Sequence, residues 1–247
     1  MLSQKTHLVG VFFLCCGLQN RFHLVIYMHM EIKYLGHSSF FIRSKLAGKP
    51  ETRLVTDPFD PAMVGRRFPK VEAEIVTVSH NHADHNQWNL VGGRPLVIDW
   101  PGQFEKQNIR IYGYRSYHDK KNGQERGENI LYKIEAEGIT ILHCGDLGYI
   151  PEESFLDDLG EINILLVPVG GYYTIDASEA AELVKKIEPS IVVPMHYKTA
   201  DQKGLTELAT VNDFLKKFGV ETLKPEPKLV VRKEELGEEL KIVLLEI

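Results

Sequence analysis

Val78-Ser79-His80-Asn81-His82-Ala83-Asp84-His85-Asn86 places three histidines and an aspartate within six residues. The residues before it, 71–79, read as a strand in which Ile75, Val76 and Val78 form a β-branched apolar run. His80 and His82 are two apart, so on an extended strand end both imidazoles point to one side. Asp84 and His85 follow where the chain turns and approach from another direction. A polar loop with clustered histidines is the bland explanation. The His-x-His-x-Asp-His spacing fits better as nitrogen and oxygen donors for one or two divalent metals.

Working outward, the chain alternates strand and helix. Upstream, 31–35, 39–43 and 53–56 read as strands, the last stopped by Asp57-Pro58. Downstream, 95–99, 108–113 and 114–117 are expected strands, and the third runs into His118. Residues 129–136 and 138–143 form an expected hairpin ending at Cys144-Gly145-Asp146. The apolar run 162–169 suits a strand buried on both faces. Asp176, with Glu179 three residues on, is the signature of a capping box, and Ala180, Leu183, Val184 and Ile187 then make one apolar stripe. Residues 190–193 form a strand delivering Pro194-Met195-His196-Tyr197. A second amphipathic helix is expected over 206–218, closed by Gly219, and strands over 228–232 and 240–246. His118, Asp146 and His196 thus fall at strand ends followed by loops, where chemistry gathers in layered folds.

The 247 residues suit one large domain, and 43% apolar with 26% charged residues is ordinary for a soluble globular enzyme. A net charge of -5 argues against a nucleic-acid partner. Cys15, Cys16 and Cys144 have no disulfide-framework spacing, which points to the reducing cytoplasm. Lys5 precedes the apolar run 8–16, as in a secretory signal, but no small-x-small cleavage site follows. That run is well short of the roughly 20 residues that span a bilayer. Met28 and Met30 favour an upstream extension, so 1–29 is read as a non-domain N-terminal extension and 30–247 as the folded domain.

His80-x-His82-x-Asp84-His85, followed in order by His118, Asp146 and His196, resembles the metallo-β-lactamase superfamily over about 34–197. Gly36-His37-Ser38-Ser39-Phe40, Thr56-Asp57-Pro58, Gly145-Asp146-Leu147-Gly148, Pro168-Val169-Gly170-Gly171 and Pro194-Met195-His196-Tyr197 resemble its Zn-dependent hydrolases, a group that includes ascorbate-6-phosphate lactonase. Tyr117-His118-Asp119 with Arg126-Gly127 and Asn129 resembles one branch of that group. The resemblance implies an α/β (α+β) fold: an αββα sandwich of two mixed sheets flanked by helices. It also implies two divalent ions, Zn2+ first and Mn2+ or Fe2+ as alternatives. His80, His82 and His118 would hold one ion, Asp84, His85 and His196 the other, and Asp146 would bridge them. Such a pair shares a water and lowers its pKa from 15.7 towards about 7, giving a hydroxide for attack on a carbonyl or phosphoryl centre. The expected activity is hydrolysis of an ester, lactone or phosphodiester of a small molecule.

Asp84 and His37 are the candidates for direct participation in catalysis, with His37 either touching substrate, protonating a leaving group or simply shaping its turn. Asp57 is expected to orient ligands, and Asp119 to support one. His143, three residues before Asp146, is expected on the other side of its strand. Tyr172, Tyr173, Tyr197 and Lys198 are candidate pocket residues, with Lys198 a candidate phosphate contact, and Cys144 a small filler. An oxidoreductase is the competing class, but di-iron relatives usually carry a glutamate where this chain has His82. A silent metal-binding protein is the third, opposed by retention of all seven ligands. The expected partner is a small-molecule substrate, with no nucleic acid or membrane and with self-association left open. The purified protein should contain a transition metal, and His82→Ala should lower its metal content by elemental analysis. An unchanged content and stability would defeat the metal reading.

Overall fold

The computed structural model describes residues 29–45 and 48–247. The extension expected over 1–29 therefore lies outside the described residues, except for His29, which opens the first strand. The chain lays down β1 (His29–Gly36), β2 (Ser39–Lys45), β3 (Thr52–Thr56), the single turn α1 (Pro61–Val64), β4 (Ile75–Thr77) and β5 (Leu96–Ile98). A second set follows: β6 (Gly102–Lys106), β7 (Ile109–Tyr117), β8 (Glu128–Ala136), β9 (Ile139–His143), α2 (Glu153–Leu159), β10 (Ile164–Pro168), α3 (Ala177–Ile187) and β11 (Ile191–Met195). After α4 (Asn212–Lys216), β12 (Leu229–Val231) returns to the first sheet and β13 (Lys241–Ile242) to the second. The orders are β12-β1-β2-β3-β4-β5 and β13-β11-β10-β9-β8-β7-β6, both sheets mixing parallel and antiparallel pairs.

The two sheets face each other across one apolar interior. Ile32, Phe40, Ile42 and Leu54 from the first meet Ile111, Tyr132, Ile134 and Ile141 from the second, all buried. Every residue of β10 is buried, as its unbroken apolar run requires between parallel neighbours β9 and β11. On the outer face of the second sheet, α3 begins with the expected capping box, Asp176 accepting from the Ser178 and Glu179 amides while Glu179 accepts from Asp176 N–H. The outer face of the first sheet is covered by α1 and irregular chain, where Phe59, Val64 and Phe68 pack on Val55 and Val76.

Several expected elements differ. The helix over 206–218 shrinks to α4, because Ala209 is engaged elsewhere: its N–H donates to Gly170 O at 2.9 Å and its carbonyl accepts from Lys198 N at 2.8 Å. Long-range backbone bonds override the helical periodicity there. The strand over 71–79 contracts to β4, and the two over 108–117 are one strand, β7. Neither β6 nor α2 was anticipated.

Strand direction decides where the site lies. β1 and β3 both run antiparallel to β2, and β4 is parallel to β3, so their C-terminal ends share one edge. β7 and β9 both run antiparallel to β8, and β9, β10 and β11 are parallel, so their C-terminal ends also coincide. His37, Asp57, the 78–86 loop, His118, Asp146 and His196 each follow one of these ends. Near this edge the fully buried Tyr132 of β8 ties the sheets together: its hydroxyl lies 3.0 Å from Val78 O and 2.9 Å from Ile98 O, both at ends of first-sheet strands. Tyr132→Phe should cost about 1–3 kcal/mol, since it removes the one hydroxyl proton shared by Val78 O and Ile98 O, of which only Ile98 O keeps another donor, Val78 N–H at 2.8 Å. Thermal denaturation should register this as a fall of several degrees in Tm.

Candidate metal centre

Beyond β4 the chain abandons the strand. His80 and His82 lie on successive bends, with ring centroids 4.5 Å apart, so their proximity comes from the loop and not from strand alternation. A tight turn follows, in which His85 N and Asn86 N donate to His82 O at 2.9 and 3.1 Å. The turn swings Asp84 and His85 round to a second group of donors, as the sequence suggested.

Three sets of metal-competent atoms each lie within 4.8 Å: His80, His82 and His118; His37, Asp84, His85 and His196; and His80, His85 and Asp146. Asp146 Oδ2 is 3.1 Å from His118 Nε2, 3.1 Å from His196 Nε2 and 3.2 Å from His85 Nε2. The seven residues expected as ligands are thus brought together, with His37 beside them. Asp146 Oδ1, His80 Nε2 and His196 Nε2 are buried without a hydrogen-bond partner. Burying such atoms unpaired is costly. Inward-facing imidazole nitrogens around two carboxylates are the donor set a divalent cation requires, so these residues fit a metal.

The surrounding residues decide which histidine nitrogen faces inward. Ser79 Oγ donates to Asp57 Oδ2 at 2.6 Å, so it accepts from His80 Nδ1 at 3.0 Å. His85 Nδ1 donates to the same Asp57 oxygen at 2.9 Å, and Ser79 N–H donates to Oδ1 at 2.8 Å. Both histidines therefore keep a proton on Nδ1 and turn Nε2 inward. Asp146 is held by Asn129, whose Oδ1 accepts from Asp146 N at 2.9 Å. Gly145 before it has φ 52°, and a β-carbon there would lie 2.4 Å from Asn129 Oδ1. His143 faces away, as expected: Nε2 donates to Ser38 O at 2.8 Å.

Burial pushes His80 and His82 below the ordinary imidazole value, and the neighbouring imidazoles add to it. Burial also acts on His85, but Asp146 and Asp84 overcome it and hold that imidazole well above its usual range. Asp146 pays the same burial penalty, yet His196, His85 and His118 keep it well below the carboxylate range. Asp57 is held low against burial by His143 and by its bonds from His85 and Ser79.

Other expected residues divide. His37 is wholly buried, 3.1 Å from Asp84 Oδ2 and 3.2 Å from His85 Nε2, with burial and His196 pulling its pKa down to about 4. It does not line the open cleft, which is walled by Asp84, His118, Asp146, Tyr173 and Leu205 and has a volume of about 380 Å³. Tyr173 is on that wall, Tyr172 is exposed, and Tyr197 and Lys198 line a different cavity beside Arg66. Asp119 supports no ligand side chain. It accepts from the amides of Lys121, Gly123, Glu125 and Arg126, which hold its pKa down to about 2 against a burial penalty. Ser79 and Asn129 were given no role from sequence. A polar residue opening the apolar run Ile130-Leu131-Tyr132 was the available signal for Asn129.

Residues 31–196 match the family model described as a beta-lactamase superfamily domain. The UPF0173 metal-dependent hydrolase of Thermococcus onnurineus is 28% identical over 198 residues, which cover 69% of this chain and 85% of that protein. A crystal structure of a candidate Zn-dependent hydrolase of the metallo-β-lactamase superfamily from Thermotoga maritima is 36% identical, with TM-score 0.69, covering 87% of this chain and 98% of that one. The diiron β-hydroxylase CmlA of Streptomyces venezuelae is 12% identical with TM-score 0.55, covering 83% of this chain and 54% of that one, and so shares the fold alone. With its two mixed sheets and its cluster of histidines and aspartates at one sheet edge, the chain belongs to the metallo-β-lactamase superfamily and is a metal-dependent hydrolase.

Proposed function

We propose that this hydrolase works with two divalent cations, Zn2+ being the simplest choice for its imidazole-rich donors, and cleaves an ester, lactone or phosphodiester bond of a small molecule. The observation that carries the reading is one oxygen, Asp146 Oδ2, lying 3.1 Å from His118 in one donor group and 3.1 Å from His196 in the other. His80, His82 and His118 would hold one ion, Asp84, His85 and His196 the second, and Asp146 would serve both. When bound, such a pair supplies Lewis acidity towards the electrophile's oxygen and brings a shared water's pKa towards about 7. The chain's own contribution is placement. Asp57 and Ser79 keep the protons of His80 and His85 on the outer nitrogens. Asp84 and Asp146 offset cation charge. Cys144 is no rival nucleophile, because it is buried and its thiol is pushed far above the usual range.

His37 is assigned to the second donor group rather than to the substrate, since it is buried against Asp84 and His85 and absent from the cleft wall. Hydrolysis is preferred to di-iron oxidation because His82 occupies the position where the di-iron relatives usually carry a glutamate. We place the enzyme in the cytoplasm, where the free thiol of Cys144 stays reduced.

Metal analysis should find two equivalents per chain, and a panel of lactones, phosphodiesters, thioesters and β-lactams should reveal metal-dependent turnover that a chelator abolishes. A metal-free, inactive preparation after metal reconstitution would sink the proposal. His37→Ala should lower the metal content towards one equivalent, whereas lost turnover at full content would return His37 to the substrate. Asp57→Asn should weaken metal affinity about 10- to 100-fold in equilibrium titrations, as losing a partner that orients ligands does.

A further inference from the structure

Resting on the hydrolase reading above, we infer that Arg126 is the residue that recognises the substrate, and that the substrate carries an oxyanion, a carboxylate or phosphate, away from the bond that is cleaved. The metal-side cleft adjoins a larger cavity of about 640 Å³ lined by residues that include Trp88, Trp100, Pro101 and Arg115. His82 and Arg126 line both. A molecule with its scissile bond at the metal-binding residues and its remainder in the larger lobe must therefore pass Arg126.

The charge arrangement says what Arg126 is for. Arg43, Arg53, Arg66, Arg110 and Arg115 each meet a carboxylate. Arg126 forms no ion pair among the described residues, although it is exposed at the mouth of the site. Its recorded contacts are one long hydrogen bond to Tyr173 O, 3.4 Å, and the Tyr173 ring, 5.8 Å from the guanidinium carbon. These contacts leave most of its five N–H donors unused, in the fork geometry that matches two oxygens of a carboxylate or phosphate. In the larger lobe, Arg115 is already paired to Glu128 at 3.0 Å. Asp99 lines only that lobe, and Asp84 and Asp146 face the histidines. Arg126 is thus the cation of the cleft that still lacks an anion.

Its position is also built in. The loop carrying it starts at His118 and closes on it, with His118 N donating to Gly127 O at 3.1 Å. Asp119 gathers four amides of that loop, Arg126's own at 2.8 Å included. Lys120 pairs with Glu179 in the first turn of α3. Arg126 therefore stands at a set distance from His118, so an anion held by one would fix the scissile bond relative to the other.

The test uses the metal-loaded full chain and esters matched except for the terminal group: mono-4-nitrophenyl adipate, 4-nitrophenyl 5-phosphonopentanoate and 4-nitrophenyl hexanoate. Wild type should prefer one or both anionic esters in kcat/KM, and the preferred one tells carboxylate from phosphate. Arg126→Gln should reduce that preference by about ten- to a hundredfold, the scale of a hydrogen bond to a charged group. The loss should fall mainly in KM, as for binding shared by ground and transition states. Arg126→Lys should lose less, and Arg126→Glu should reverse the preference. Calorimetric titration with adipate against hexanoate needs no turnover, and the tighter binding of adipate should vanish in Arg126→Gln while metal content and Tm hold. An unchanged preference in Arg126→Gln, or wild-type protein that prefers neither anionic ester and binds adipate no better than hexanoate, overturns the assignment. Failure of every ester with adipate binding intact would count against the ester-hydrolase reading and leave Arg126 as an anion site.

Discussion

The site depends on a buried anion that touches no cleft. Asp57 has no solvent exposure, yet it stays ionised because three donors point at it, the Ser79 amide and hydroxyl and His85 Nδ1–H, with His143 nearby adding to their pull. A carboxylate in such a place is tolerable only when its oxygens are satisfied. The way they are satisfied forces one tautomer on a histidine of each donor group. Removing the Asp57 charge would free His80 and His85 to put protons where lone pairs are needed. The same aspartate pins the start of the 78–86 loop to the end of β3.

Around that anion, strand direction does most of the assembly. Six chain segments reach one edge because β1, β3 and β4 in one sheet and β7, β9 and β11 in the other all end there. The interior between the sheets is almost wholly apolar, so the polar groups gather at the edge, and Tyr132 closes the seam beneath them. Donors from distant parts of the sequence converge without any one strand carrying more than its last residue or two into the site.

How much of this was legible in sequence varies with the range of the interaction. The donor cluster His80 to His85 is local, and its spacing alone announced metal-competent chemistry, although the bends that bring the rings together were mistaken for strand alternation. His118, Asp146 and His196 could be placed by the apolar runs before them, and the superfamily resemblance supplied their grouping. The capping box at Asp176 was readable because it closes within four residues. The helix over 206–218 was not, since what cancels it is Ala209 bonding to Gly170 and Lys198, neither of which periodicity can anticipate. The surroundings of His37 were hidden for a similar reason: only the packed structure shows it buried against Asp84 and His85. Arg126 entered only through a branch resemblance, without a role, because lacking a partner is a property of three-dimensional surroundings.

The loop from His118 to Gly127 has an evolutionary consequence. It is shaped by main-chain amides converging on Asp119 and by a backbone bond between its two ends, so its form depends little on the side chains in between. Apart from Asn122 and Gly123, both at positive φ, residues 120–126 can therefore change identity while His118 keeps its place. Recognition and bond-breaking sit on one short segment yet can drift independently. A lineage of such enzymes could exchange one substrate for another through a single codon and keep its metal chemistry intact.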